Sequence, residues 1–213
     1  MQKSRIEWTE FVSNPITGKC KHGCYYCYAE RIRNRFNRPD ELKFHPEELE
    51  SVKKRKKPAT IFMGSMHDIW GAWIPDDWLH WIVSCVLDCP QHTFLLLTKN
   101  PKRYFDFWFP ENCYLGYTDT GEFLGGHSLR KLNNLYVSFE PLLGANTDIL
   151  DNTRQIIIGA MTGKEAVIPK EQWVYSILER GASRNISIFI KDNLCKIYPD
   201  LPKLRKLVWR CDK

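Results

Sequence analysis

The sequence alternates repeatedly between a short, nearly all-apolar, β-prone run and a longer amphipathic or polar stretch. The runs are Phe11–Ile16, Ala59–Met63, Thr93–Leu97, Cys113–Tyr117, Leu135–Phe139, Gln155–Ile158 and Ile186–Ile190. Several are apolar almost throughout, as strands covered on both faces are. Helix candidates lie between them. Tyr28–Asn37 follows the first run. Pro75–Leu87 opens on two aspartates and carries Trp78, Leu79, Trp81, Ile82 and Val86, and Pro169–Glu179 begins Pro-Lys-Glu, a favourable first turn. Strand–helix alternation predicts an α/β fold, a parallel sheet with right-handed crossovers. With 213 residues, the chain is shorter than the roughly 250 residues of a closed eight-unit barrel. The expectation is therefore one domain folded as a partial (β/α)6-type TIM-like barrel. Its core spans residues 8–192, with a C-terminal extension over 193–213. A doubly wound open sheet is the alternative. Both architectures place ligands at the C-terminal ends of strands.

No apolar run approaches the ~18 residues of a membrane span, and Met1–Glu10 has no signal-like apolar stretch. The expectation is a soluble, cytoplasmic protein, making its eight cysteines thiols or metal ligands rather than disulfides. The net charge of +6 is uneven. Residues 31–57 hold ten Lys/Arg against five Asp/Glu, and residues 195–213 hold six against two. These patches suit a polyanion such as nucleic acid, the plainer alternative being solvated surface. Lys53-Lys54-Arg55-Lys56-Lys57 is the densest run.

The strongest chemical signal is Cys20-Lys-His-Gly-Cys24-Tyr-Tyr-Cys27, between the first strand candidate and the first helix. Three thiols within eight residues, on a loop containing Gly23, can converge on one metal centre. A structural zinc wants four ligands. The fourth would be His22 or a distant cysteine, and the only other close pair, Cys85 and Cys89, ends an apolar helix. An iron–sulfur cube usually takes four thiolates. Three would leave one iron open to a substrate or cofactor.

The Cys-x3-Cys-x2-Cys spacing, with Tyr26 before the last cysteine, resembles the defining loop of the radical S-adenosylmethionine superfamily. Its surroundings are similar to a phage-associated, three-cysteine branch of it: Asn14-Pro15-Ile16-Thr17-Gly18, Tyr28-Ala29-Glu30, Phe62-Met63-Gly64-Ser65-Met66-His67-Asp68, Leu97-Thr98-Lys99-Asn100-Pro101 and Ser138-Phe139-Glu140-Pro141-Leu142-Leu143-Gly144. The likeness covers roughly residues 8–192. It implies a [4Fe-4S] cluster on Cys20, Cys24 and Cys27 that binds S-adenosylmethionine at its open iron. The cluster cleaves it reductively to a 5′-deoxyadenosyl radical, and the radical abstracts hydrogen from a substrate. It also implies an electron donor such as flavodoxin or ferredoxin.

The resemblance puts Gly64, Ser65 and Met66 where family members bind the cofactor's amino group through backbone carbonyls. The family's usual second glycine and glutamate are absent there. Asp68 is a candidate for the ammonium or the substrate, with loop capping as the alternative. Thr118 and Asp119 lie where relatives contact ribose or carboxylate, though Thr-Asp-Thr-Gly is also plain turn chemistry. Ser138 and Glu140 end the fifth strand and face the barrel mouth if alternation holds. Gly159 and Met161, in a small-residue stretch running to Gly163, are candidates to flank adenine. Lys99 and Lys191 follow apolar strands and are candidates to project inward, with snorkelling to solvent as the alternative.

His67 reads as a proton donor or a hydrogen-bonded spectator, and His22 is expected to point outward. Tyr25, Tyr26 and Tyr28 are expected to pack around the cluster and exclude solvent. Trp70, Trp73, Trp78 and Trp81 read as core or interface, with a base-stacking platform as the alternative. Cys85, Cys89, Cys113, Cys195 and Cys211 form no second close motif, so no auxiliary cluster is expected. The functional expectation is a radical enzyme, its substrate a nucleobase or nucleic acid ahead of a peptide or small metabolite. The alternative is a zinc-bound or catalytically inactive nucleic-acid-binding module.

Overall fold

A computed structural model describes residues 1–121, 126–147, 149–163 and 165–209. The chain is α/β, with an eight-stranded, mostly parallel main sheet. It divides into two compact units, Met1–Leu115 and Gly116–Lys213. Among the described residues no helix is long and apolar enough to cross a membrane.

In the first unit the strands are β1 (Gln2–Lys3), β2 (Phe11–Ser13), β3 (Ile16–Thr17), β4 (Lys43–Phe44), β5 (Thr60–Met63) and β6 (Thr93–Thr98). In the sheet, β1 runs antiparallel to β2, and β2, β5 and β6 are parallel neighbours. The register sets Val12 opposite Phe62, and Phe62 opposite Leu95. All four residues of β5 are buried, the pattern of a strand covered on both faces. The first apolar run is split. Pro15 cannot donate to a ladder, and Ile16–Thr17 turns away to pair with β4 in a small two-stranded antiparallel sheet.

Three helices belong to this unit: α1 (Tyr28–Arg35), α2 (Pro46–Lys54) and α3 (Asp76–Leu87). Asp76 and Asp77 sit in the first turn of α3, favourable beside the positive helix end, and Leu79, Ile82, Cys85 and Val86 form its buried stripe. Of the tryptophans singled out in the sequence, Trp70 is core, Trp78 stacks on Phe44, and Trp81 is exposed. α2 falls inside the basic stretch read from charge alone. Pro46, Glu47 and Glu48 start it, Lys53 and Lys54 end it, and Leu49 and Val52 are buried.

Strand β7 (Cys113–Thr118) runs through the division into the second unit, which holds β8 (Leu135–Phe139), β9 (Thr153–Ile158), α4 (Glu171–Ser183), β10 (Ser187–Ile190) and α5 (Asp192–Ile197). There β8 and β9 are parallel, as are β9 and β10. α4 buries Val174, Ile177, Leu178 and Gly181. A Cβ at Gly181 would come within 2.7 Å of Ile188, so the glycine sets how closely α4 approaches the sheet. The basic C-terminal extension is tied down as far as Trp209. Buried Gln155 donates to the Lys206 carbonyl and accepts from the Val208 amide, and Trp209 packs edge-on to Tyr136. Cys211 lies outside the described residues.

A Cβ at Gly116 would fall 2.2 Å from the ring of fully buried Tyr136. Gly116→Ala should cost about 2–3 kcal/mol in urea unfolding, the scale of overpacking in a closed core. His92 is buried and donates from Nε2 to the Arg55 carbonyl at 3.0 Å, and burial holds its pKa below the ordinary 6.5. As pH falls, the unfolded chain therefore takes up this proton first. The stability His92 contributes is present above about pH 6.5 and is lost as pH drops through the folded value. The urea midpoint should fall between about pH 7.5 and about pH 5, and His92→Gln should flatten that slope.

Candidate functional site

The cysteine loop joins β3 to α1. Gly23 has φ +63°, a left-handed position that lets the chain reverse between Cys20 and Cys24. A further turn is closed by the Cys27 amide donating to the Cys24 carbonyl at 3.0 Å. Cys27 caps α1, its Sγ accepting from the Glu30 amide at 3.4 Å. The positive end of the helix thus faces the sulfur, a setting suited to an anionic ligand. All three cysteines are partly accessible. Burial pushes the Cys20 thiol pKa up, opposed by the backbone amides of His22 and Asp68. Burial, and secondarily the neighbouring Cys24, raises the Tyr26 phenol far above its ordinary range.

Asp68 ties this loop to the sheet. Its carboxylate accepts from His22 Nε2 at 2.7 Å, Thr98 Oγ1 at 3.0 Å, the Lys99 amide at 2.8 Å and the Trp70 amide at 3.1 Å. These donors come from the cysteine loop, from the end of β6 and just after it, and from the segment after β5. The geometry fits the loop-capping alternative for Asp68. The expectation that His22 points outward is corrected: it turns inward because Asp68 offers it an ionic acceptor, and its ring packs edge-on to Trp73.

The segment after β5 is fixed just as closely. Gly64 has φ +83°, and a Cβ there would lie 2.6 Å from Ile69, so the turn itself demands glycine. Asn14 Oδ1 accepts from Ser65 Oγ at 3.1 Å and from the Met66 amide at 3.0 Å. The Tyr28 hydroxyl donates to the Ser65 carbonyl. His67 is buried and bonded at both nitrogens, Nδ1 to the Gly18 carbonyl at 3.3 Å and Nε2 to Trp73 Nε1 at 3.1 Å. Burial lowers its pKa and keeps it neutral, which fits a spectator.

The tyrosine expectation is corrected in part. Tyr26 is half-buried, with Lys99 Nζ 5.3 Å from its ring centre, but Tyr25 is 69% and Tyr28 46% exposed. Of adjacent Tyr25 and Tyr26, one short loop covers only Tyr26 in part, and Tyr28 sits on α1, which has no buried residue.

In the second unit a polar cluster gathers at strand ends. Lys191 Nζ lies 2.5 Å from Glu140 Oε1, and Ser138 Oγ donates to Glu140 Oε2 at 3.1 Å. A Cβ at Gly159 would meet Glu140 Oε1 and Lys191 Cδ, each at 3.0 Å, so the glycine makes room for the ion pair. Asp119 and Thr118 are buried next along. The Asp119 amide donates to the Ser138 carbonyl at 3.0 Å, and its carboxylate accepts from the Gly121 amide at 2.7 Å, the turn chemistry foreseen as its alternative. Asn193 clamps the loop carrying buried Met161, exchanging hydrogen bonds with the Ala160 backbone at 3.3 and 2.7 Å. The structure thus assembles Cys20, Cys24, Cys27, Tyr26, Gly64, Ser65, Met66 and Asp68 in one unit. It assembles Thr118, Asp119, Ser138, Glu140, Gly159, Met161 and Lys191 in the other.

Asn14, Trp73 and Asn193 carry positioning roles that the sequence did not assign. Asn14 stood within a recognised motif, whereas Asn193 lacked any signal beyond its place after the last strand. Among the described residues no three His, Cys, Asp or Glu side chains are gathered at single-ion distances. Cys85, Cys89 and Cys113 are buried apart from the loop, and burial pushes the Cys85 and Cys113 thiols up to about 12.

Residues 3–195 match the family described as protein of unknown function (DUF5131). The chain belongs to the DUF5131 family. No curated protein and no solved structure matches it. The part matching the DUF5131 family contains both polar clusters and the whole Asp68 tie. In this DUF5131 chain, Asp68→Ala would strand four donors and should cost about 3 kcal/mol in chemical unfolding. Asp68→Asn keeps an acceptor and should cost less. Amide exchange over residues 20–28 should accelerate in both variants, most in Asp68→Ala.

Proposed function

We propose that this protein is a radical S-adenosylmethionine enzyme, its iron–sulfur cluster held by Cys20, Cys24 and Cys27. The observation that carries this reading is the loop itself. Three soft, partly accessible thiols stand on one glycine-turned segment, one of them capping a helix, while the buried cysteines of the same unit lie elsewhere. That donor set fits a cube with three protein ligands. A reduced [4Fe-4S] cluster there would supply the electron that cleaves S-adenosylmethionine and yields a 5′-deoxyadenosyl radical.

The chain's own part is to bind, orient and exclude water. Asp68 and His22 hold the thiol loop against two strand ends, and Tyr26 with Lys99 covers one side of it. In this reading the carbonyls of the Gly64–Met66 turn face the cofactor's amino group. Ser138, Glu140 and Lys191 of the second unit would offer polar contacts to a substrate. In this reading the parallel strands are those of a partial (β/α)6-type barrel, and a flavodoxin or ferredoxin in a reducing cytoplasm would deliver the electron.

One observation favours a second reading. A metal-binding histidine commonly gives its other ring nitrogen to a carboxylate, and His22 Nε2 does so with Asp68. A zinc held by Cys20, His22, Cys24 and Cys27 would use that pair.

Anaerobic reconstitution with iron and sulfide separates the two. The radical reading expects about four irons per chain, an electron paramagnetic resonance signal that shifts when S-adenosylmethionine is added, and 5′-deoxyadenosine on reduction. Cys24→Ala, checked for folding by circular dichroism, should lose the iron, and His22→Ala should keep it. One zinc per chain, lost in His22→Ala, would establish the second reading instead.

A further inference from the structure

We infer that α1 and its flanks form a docking surface for single-stranded nucleic acid beside the cysteine loop. The inference deepens the proposed function by naming the partner presented there, and it rests on that reading for the purpose of docking.

None of the eight residues of α1 is buried. Its first turn is capped by Cys27, an internal Glu30–Arg33 ion pair at 2.6 Å runs along it, and Arg33 also reaches Asp40 and the Arg38 carbonyl in the flank that follows. From Lys19 to Asp40 the chain carries six Lys/Arg against two Asp/Glu. Both acids are engaged by Arg33, and Asp40 also by Lys19 at 3.8 Å, while Lys19, Lys21, Arg31, Arg35 and Arg38 are the exposed cations of this surface.

Aromatic rings stand among them. Phe36 is 61% and Tyr25 69% exposed. The guanidinium carbons of Arg35 and Arg38 lie 5.6 and 5.8 Å from the centre of the Phe36 ring. A ring that stays 61% exposed with two guanidinium groups near it offers surface to an unpaired base and cations to its phosphates, the combination used by single-strand binders. A duplex keeps its base faces stacked and cannot use the ring. The basic run at Lys54, Lys56 and Lys57 differs, because Arg55 there covers half-buried Phe11 at 4.2 Å. It offers charge without a stacking face.

The test is fluorescence anisotropy of the full chain with a labelled, mixed-sequence DNA strand of about 15 nucleotides, near the upper site size of such modules. The single strand should bind more tightly than a duplex of equal length. Phe36→Ala should weaken binding about 5- to 100-fold, the range for losing one base-stacking ring. Arg35→Ala/Arg38→Ala should reduce the slope of log affinity against log salt by about 1.4, two phosphate contacts' worth. Lys54→Ala/Lys56→Ala should leave both quantities unchanged. Unaltered binding by folded Phe36→Ala and Arg35→Ala/Arg38→Ala overturns the inference, as does an equal loss in Lys54→Ala/Lys56→Ala. So does failure to bind single strands while an acidic flavodoxin binds through the same arginines. Zinc-loaded protein that shows the expected binding pattern sinks the radical reading and leaves this surface standing. Iron-loaded protein that cleaves S-adenosylmethionine yet ignores single strands does the reverse.

Discussion

Everything around the cysteine loop depends on one carboxylate. The loop carrying the three thiols packs weakly, because its cysteine, glycine and lysine side chains supply small apolar surface, Tyr25 is exposed and Tyr26 is only half-buried. Its position must come from polar ties, and Asp68 provides them from within a turn that Gly64 makes possible. A carboxylate that accepts several short hydrogen bonds from partly buried donors is worth more than any one of them, since losing it strands them all. The loop is therefore specified by the segment after β5 as much as by its own residues.

The second polar cluster follows a different logic. Glu140 and Lys191 neutralise each other at strand ends, and Gly159 between them is chosen for what it lacks. A side chain there would press on the pair. An ion pair with Ser138 on its flank is a compact, charged contact that remains partly open to solvent.

The strands were legible because burial on both faces leaves a simple trace in sequence. Leu135–Phe139 coincides with β8, and most other runs differ by a residue or two from the observed strands. α3 announced itself through its aspartates and apolar spacing. α2 was hidden by its own charges, although Pro46, the following glutamates and the closing lysines were proper end signals. β1 and β4, two residues each, are too short for any periodicity to register. The three loop thiols could be singled out by spacing, whereas their support could not. His22 turns inward only because Asp68, far along the chain, arrives beside it. Nor does local sequence show that Asn193 reaches back to Ala160.

Trp73 touches both histidines of the first unit's site. Its ring centre is 4.8 Å from that of His22, and its indole nitrogen bonds to His67. The indole therefore shares its surroundings with the cysteine loop through one imidazole and with the turn after β5 through the other. Any loosening of that loop changes the polarity and quenching felt by this fluorophore, so the protein carries an optical gauge of its own site.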